Sequence, residues 1–216
     1  MKAVLFALLV SAISSFAESF VALLKTANGG DADAQFRLSM AYHYGKQTDS
    51  SGIRDVRRLT GLETTDFPAQ NQSEGMRFRL MAVKQNYPPA QAFHGSWLYL
   101  VQRNPNAALP ISLQGANQGD GNAMRTMATI FFARKDIAEG LKWEVLASRY
   151  GGERADPELV VLANIIFPAG VREAWKRAEA FSPKKVFAGE YSPKKRRGVE
   201  LEDLLAVAEK VQRGAR

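Results

Sequence analysis

Apolar residues return every four positions in four stretches of this chain, each time behind a small residue and a turn residue. One stretch reads Gly115-x3-Gly119-x3-Ala123-x3-Met127-x3-Phe131. The others read Thr26-x3-Gly30-x3-Ala34-x3-Leu38-x3-Tyr42, Ala82-x3-Asn86-x3-Ala90-x3-His94-x3-Leu98 and Ala147-x3-Gly151-x3-Ala155-x3-Leu159-x3-Ala163. Residues four apart share one face of a helix. A glycine or asparagine between two such runs suits a left-handed cap that ends one helix before the next begins. Just upstream, Glu74-Gly75-Met76-Arg77-Phe78 and Glu139-Gly140-Leu141-Lys142-Trp143 match position for position, and an alanine follows each aromatic by four residues (Ala82, Ala147).

The pattern predicts helices over 20–26, 31–44, 73–87 (with Ser73 as N-cap), 90–102, 108–117, 121–133, 137–150 and 171–181. A further helix is expected from Asp156-Pro157, and an amphipathic one over 199–212. The turn positions 30, 86, 119 and 151 lie 56, 33 and 32 residues apart. Self-similarity near ~34 residues is the mark of an all-α solenoid of antiparallel helix pairs, whose units bury their apolar faces by stacking. The long first spacing comes from an insertion at 45–68. Its turn cluster, Thr48-Asp49-Ser50-Ser51-Gly52, favours a loop on one face.

These residues carry a resemblance. The run Ala27-Asn28-Gly29-Gly30-Asp31-Ala32-Asp33-Ala34-Gln35-Phe36-Arg37-Leu38 with Tyr42 and Gly45, beside Trp143-Glu144-Val145-Leu146-Ala147 and Ala82-Val83-Lys84-Gln85-Asn86, resembles the Sel1-like repeat, a relative of the tetratricopeptide repeat. The likeness spans roughly 20–181, within a repeat region of 18–181. Asn86 at a turn, His94 where leucine is usual and Gly115 where alanine is usual depart from it. The resemblance implies a protein–protein interaction scaffold without catalysis of its own.

Length sets the scale: 216 residues make one domain or one solenoid. Met1-Lys2, an apolar run over 3–13 broken only by Ser11, and Ser15-Phe16-Ala17 form a secretory leader pattern over 1–17, with cleavage expected after Ala17. The run is short of the ~20 apolar residues of a membrane span. A periplasmic or secreted protein is expected, with no transmembrane segment in the mature chain. The chain has no cysteine, which excludes a disulfide framework, a cysteine zinc site and a thiol nucleophile.

The net charge is +7, and it concentrates late in the chain. Ser182-Pro183-Lys184-Lys185 recurs ten residues on as Ser192-Pro193-Lys194-Lys195-Arg196-Arg197, within a stretch over 182–198 that reads as a basic linker before the final helix at 199–216. The motifs resemble the minor-groove-binding repeats of histone tails. Lys184, Lys185, Lys194, Lys195, Arg196 and Arg197 are the candidate contacts to a polyanion, since such cations supply affinity independent of sequence. For an exported protein an anionic envelope surface is the favoured form of that alternative, and nucleic acid is disfavoured.

Catalytic patterns are missing. The two histidines, His43 and His94, have no ligand partner at i+3 or i+4, so no metal is expected. Gly115-x3-Gly119-x-Gly121 lacks the Lys-Ser/Thr of a phosphate loop and reads as an inter-helix turn. No serine stands in a nucleophile elbow. No cofactor is expected, and a cell-wall-related hydrolase is only a remote alternative. For a scaffold, Arg37, Tyr44, Phe93, Trp97 and Arg125 are the candidate contacts to a protein or peptide partner, being binding-prone residue types on the first helices of their units. Phe93 and Trp97 equally suit the core between repeats.

Overall fold

The computed structural model describes residues 19–46, 60–62, 67–151, 168–193 and 201–202. These residues form eight helices and no strand. Helix α1 is Phe20–Asn28, α2 Ala32–Tyr44, α3 Gln72–Lys84, α4 Pro88–Leu100, α5 Pro105–Asn117, α6 Gly121–Ala133, α7 Ile137–Gly151 and α8 Pro168–Glu179. The chain divides into two compact units, one up to Lys84 and one from Gln85.

The turns fall where the apolar runs break. Gly30, Asn86 and Gly119 all adopt positive φ, at 99°, 61° and 89°. Asparagine is among the few side chains that tolerate this region, so Asn86 makes the turn that glycine makes elsewhere. Gly151 is instead the last residue of α7. Arg103 and Lys135 carry positive φ in the turns after α4 and α6, where nothing in the sequence signals it.

Four of the eight described helices start earlier than the periodicity suggests. Pro88 opens α4, and Pro105 opens α5 behind an Asn104 cap. Proline has no N–H to leave unsatisfied, so it belongs in the first turn rather than outside it. At α3 the cap is Asn71, whose side chain accepts from Glu74 N–H at 3.1 Å, and not the expected Ser73.

In the first unit α2 packs against α1 and α3. Leu23, Ala27, Ala34, Leu38, Ala41 and Phe78 form its core together with Leu62 and Phe67. Of the described residues of the insertion, Thr60, Leu62 and Phe67 are interior, while Lys46 and Gly61 are exposed. Thr60 and Leu62 are buried, and beyond Phe67 the chain closes on the end of α2, where Asn71 N–H donates to Tyr42 O at 3.0 Å. Removing Leu62 and Phe67 from water opposes the entropy of ordering the segment, at roughly 1.5–3 kcal/mol per buried side chain.

In the second unit α4 packs on α5 and α6, α5 on α6, α6 on α7, and α7 on α8. Met124, Met127, Leu141, Trp143, Leu146, Val171 and Trp175 dominate the core, with Leu201 packed against it. The rest of the expected final helix, the leader pattern over 1–17, most of the insertion and the helix expected from Asp156-Pro157 lie outside the described residues.

The two matched segments build the same device in each unit. Glu74 pairs with Arg77 at 2.7 Å, and Glu139 with Lys142 at 2.6 Å. Each cation then lies over the next aromatic ring, Arg77 4.0 Å from the Phe78 centroid and Lys142 4.2 Å from Trp143. Both rings are buried. The caps match too, since Asp136 accepts from Glu139 N–H at 3.2 Å as Asn71 does from Glu74.

Candidate functional site

After α8 the chain runs without helix or strand over 181–193 and returns to the turn between α5 and α6. Phe181 anchors the start, edge-on to Trp143 and Tyr150 at 6.1 and 5.8 Å. Lys184 N–H then donates to Asn117 O at 2.7 Å. Phe187 N–H donates to Gln118 Oε1 at 2.7 Å, and Tyr191 OH to Asp120 Oδ2 at 3.2 Å. The rings of Phe187 and Tyr191 meet Tyr87 at 5.2 and 6.4 Å. This strap occupies part of the stretch expected to be a basic linker.

Gly119 lies at the centre of the contact. A Cβ there would stand 2.5 Å from Pro193 Cβ and 3.2 Å from Pro183 Cγ. The prolines of the twin Ser-Pro-Lys-Lys motifs thus converge on one glycine. A cleft of about 160 Å³ is lined by Gln118 and by the strap's own Pro183, Lys184, Lys185, Phe187, Tyr191 and Pro193. Lys184 and Lys185 point their exposure to solvent. Lys194, Lys195, Arg196 and Arg197 lie outside the described residues.

The receiving groups are held in place from behind. The buried Gln118 amide donates to Asn86 O at 3.0 Å and to Gln91 Oε1 at 2.9 Å. Gln91 in turn donates to Gln114 Oε1 at 3.0 Å. That leaves the Gln118 oxygen facing the strap. Asp120 caps α6, with Oδ1 accepting from Asn122 and Ala123 N–H, both at 3.0 Å. Burial pushes its carboxyl above the ordinary 3.8, against the pull of those N–H groups and of Tyr191. The Tyr191 hydroxyl is raised as well, first by burial and then by the Asp120 charge.

The five candidate partner contacts divide between the units. In the first, the Arg37 guanidinium donates to Thr60 O through Nε at 2.8 Å and Nη2 at 2.6 Å, and lies 3.6 Å from Asp33. It ties the insertion to α2. Tyr44 is half-buried and edge-on to His43 at 4.9 Å. Burial, and then the Arg79 charge, lower the His43 pKa from 6.5.

In the second unit Arg125 pairs at 3.4 Å with Glu144, which is buried. Phe93 and Trp97 are half-buried on α4, and Trp97 stacks on His94 at 5.8 Å. They continue into Leu100 and Val101, which are 53% and 61% exposed. Positions 93, 97, 100 and 101 share one helical face, so an apolar row grows more exposed toward the end of α4.

Among the described residues no group of three or more His, Asp or Glu could hold a metal ion. No described helix is long and apolar enough to cross a membrane. Sequence reasoning missed Tyr87, Gln118 and Asp120 as a receiving surface. Phe187 and Tyr191, spaced by four and framed by Pro183 and Pro193, were the available signal. No family model, curated protein or solved structure matches this chain.

Proposed function

We propose that this chain is an exported α-solenoid of the Sel1-like kind that binds a protein or peptide partner and carries no reaction of its own. The observation that supports this reading most is the apolar row on α4. Phe93 and Trp97 are half-buried while Leu100 and Val101 stay largely in water. A rigid helix in a packed unit, offering a tryptophan flanked by exposed aliphatic side chains, suits partner contact, because tryptophan anchors at the centre of such rows dominate binding.

The test is affinity capture from envelope extract with the full chain and with Trp97→Ala, at low and moderate salt. A protein held by the parent at both salts, and lost with Trp97→Ala while circular dichroism is unchanged, supports the reading. The expected loss is about 2 kcal/mol of binding. Equal capture by both chains contradicts this placement of the site.

A second reading is contact with an anionic surface through the basic tail. The exposure of Lys184 and Lys185 on the strap favours it. Capture that collapses at moderate salt, as expected for lysine contacts to anions, supports this second reading instead.

A further inference from the structure

We propose that the surface formed by Tyr87, Asn117, Gln118, Gly119 and Asp120 is a recognition site for an extended peptide, and that the strap occupies it in cis. Its partner is an extended segment with proline and aromatic residues at the strap's own spacing, which binds by exchange with the strap. The proposal rests on the interaction-scaffold reading and gives that reading a second, distinct surface.

The contacts are of the kind that recognise a peptide. Two of them read main chain, Lys184 N–H to Asn117 O and Phe187 N–H to Gln118 Oε1, both at 2.7 Å. Any residue except proline supplies those donors. Selectivity comes from side chains: proline against Gly119, an aromatic on Tyr87, and a hydroxyl aimed at Asp120. The ligand chemistry is therefore Pro, an aromatic four residues on, a tyrosine four beyond it and a second proline two further, as Pro183, Phe187, Tyr191 and Pro193 stand here. Asp120 makes the tyrosine hydroxyl matter, because a buried carboxylate deprived of a donor is costly.

The occupant is also held loosely enough to leave. The strap contributes no helix or strand, and Phe187 and Tyr191 are only half-buried. A cleft of about 160 Å³ opens among the strap's own residues and Gln118. The receiving groups, by contrast, are fixed by the glutamine network and by the α6 cap, so the site persists when the strap lifts.

The test uses a labelled synthetic peptide of residues 181–193, read by fluorescence anisotropy against the full chain and against full-length Phe187→Ala/Tyr191→Ala. The loosened variant is expected to bind the peptide at least about tenfold more tightly than the parent, because its own strap no longer competes. A peptide carrying Tyr191→Phe should bind that variant about tenfold more weakly. A folded variant that binds no better than the parent overturns the proposal. Should the variant fail to fold, hydrogen exchange on the parent decides. Lys184 and Phe187 amides exchanging about a hundredfold faster than those inside α5 and α6 support a strap that opens by itself. Equal rates overturn it. Either failure leaves the α4 row standing, since its test uses Trp97→Ala and an intact strap.

Discussion

The same turn occurs twice with opposite surroundings. Gly30 and Gly119 both sit at positive φ, and the aspartate after each caps the next helix, Asp31 through Ala34 N–H at 2.7 Å and Asp120 through Ala123 N–H at 3.0 Å. Around Gly30 the space is open, and Asp31 is exposed. Around Gly119 two prolines close in, and Asp120 is buried beneath Tyr191. The local chemistry of the turn is therefore complete without the strap. What the strap adds is burial, and burial raises the Asp120 pKa above its ordinary value.

The largest expected effects test whether the units are as alike as their matched segments. Phe78→Ala and Trp143→Ala each remove a buried ring that carries a cation on its face, and each should cost about 3–5 kcal/mol. Urea denaturation followed by site-resolved hydrogen exchange would locate the loss in the first unit for Phe78 and in the second for Trp143. Costs differing by more than about 2 kcal/mol would break the equivalence.

Next come the glycines themselves. Gly30→Ala should cost about 1 kcal/mol, the strain of a side chain at positive φ in open space. Gly119→Ala carries the same strain and also meets Pro193 and Pro183, so about 2–3 kcal/mol is expected. Thermal unfolding of both variants separates the turn from its cover. Equal costs would mean that the prolines yield without resistance. Smaller again is Tyr191→Phe, which removes the hydroxyl from Asp120 and should cost about 1 kcal/mol.

Much of this frame was legible in the sequence, for identifiable reasons. Period-four apolar runs pass through seven of the eight described helices, α8 lying outside them, and α6 was placed to the residue. Asn86 was legible as a turn from where glycine stands in the other copies, yet the helix expected over 73–87 ran through it, whereas α3 ends at Lys84. The burial of Leu62 and Phe67 was not legible, since two apolar residues five positions apart carry neither a helical nor a strand period. Nor was the strap. Its anchors are single rings at 187 and 191, and their partners are Gln118 and Asp120, which read locally as turn and cap. A contact between residues about 70 positions apart leaves no local trace.

The smallest expected effects are pH limbs of opposite sign. His43 has a pKa below 6.5 in the folded chain, so the unfolded chain takes up the proton first. Stability from this group is lost as pH falls below 6.5 toward the lowered value. Asp120 has a pKa above 3.8, so the folded chain keeps its proton longer. Stability there is greatest below 3.8 and is lost as pH rises through the raised value. His43→Gln should flatten the first limb. Asp120→Asn, which retains a capping oxygen, should flatten the second. Denaturation midpoints across pH 3–8 would show which limb each substitution removes.

The most direct measurement is the ring contact that defines the covered turn. In a nuclear Overhauser spectrum of the full chain, Tyr87 ring protons should show cross-peaks to Phe187 and Tyr191, whose centroids lie 5.2 and 6.4 Å away. The Trp143 and Phe181 pair, at 6.1 Å, serves as the internal standard. Cross-peaks of comparable strength would place the strap over the turn. A Tyr87 ring with none, while the Trp143 pair shows its own, would contradict the account.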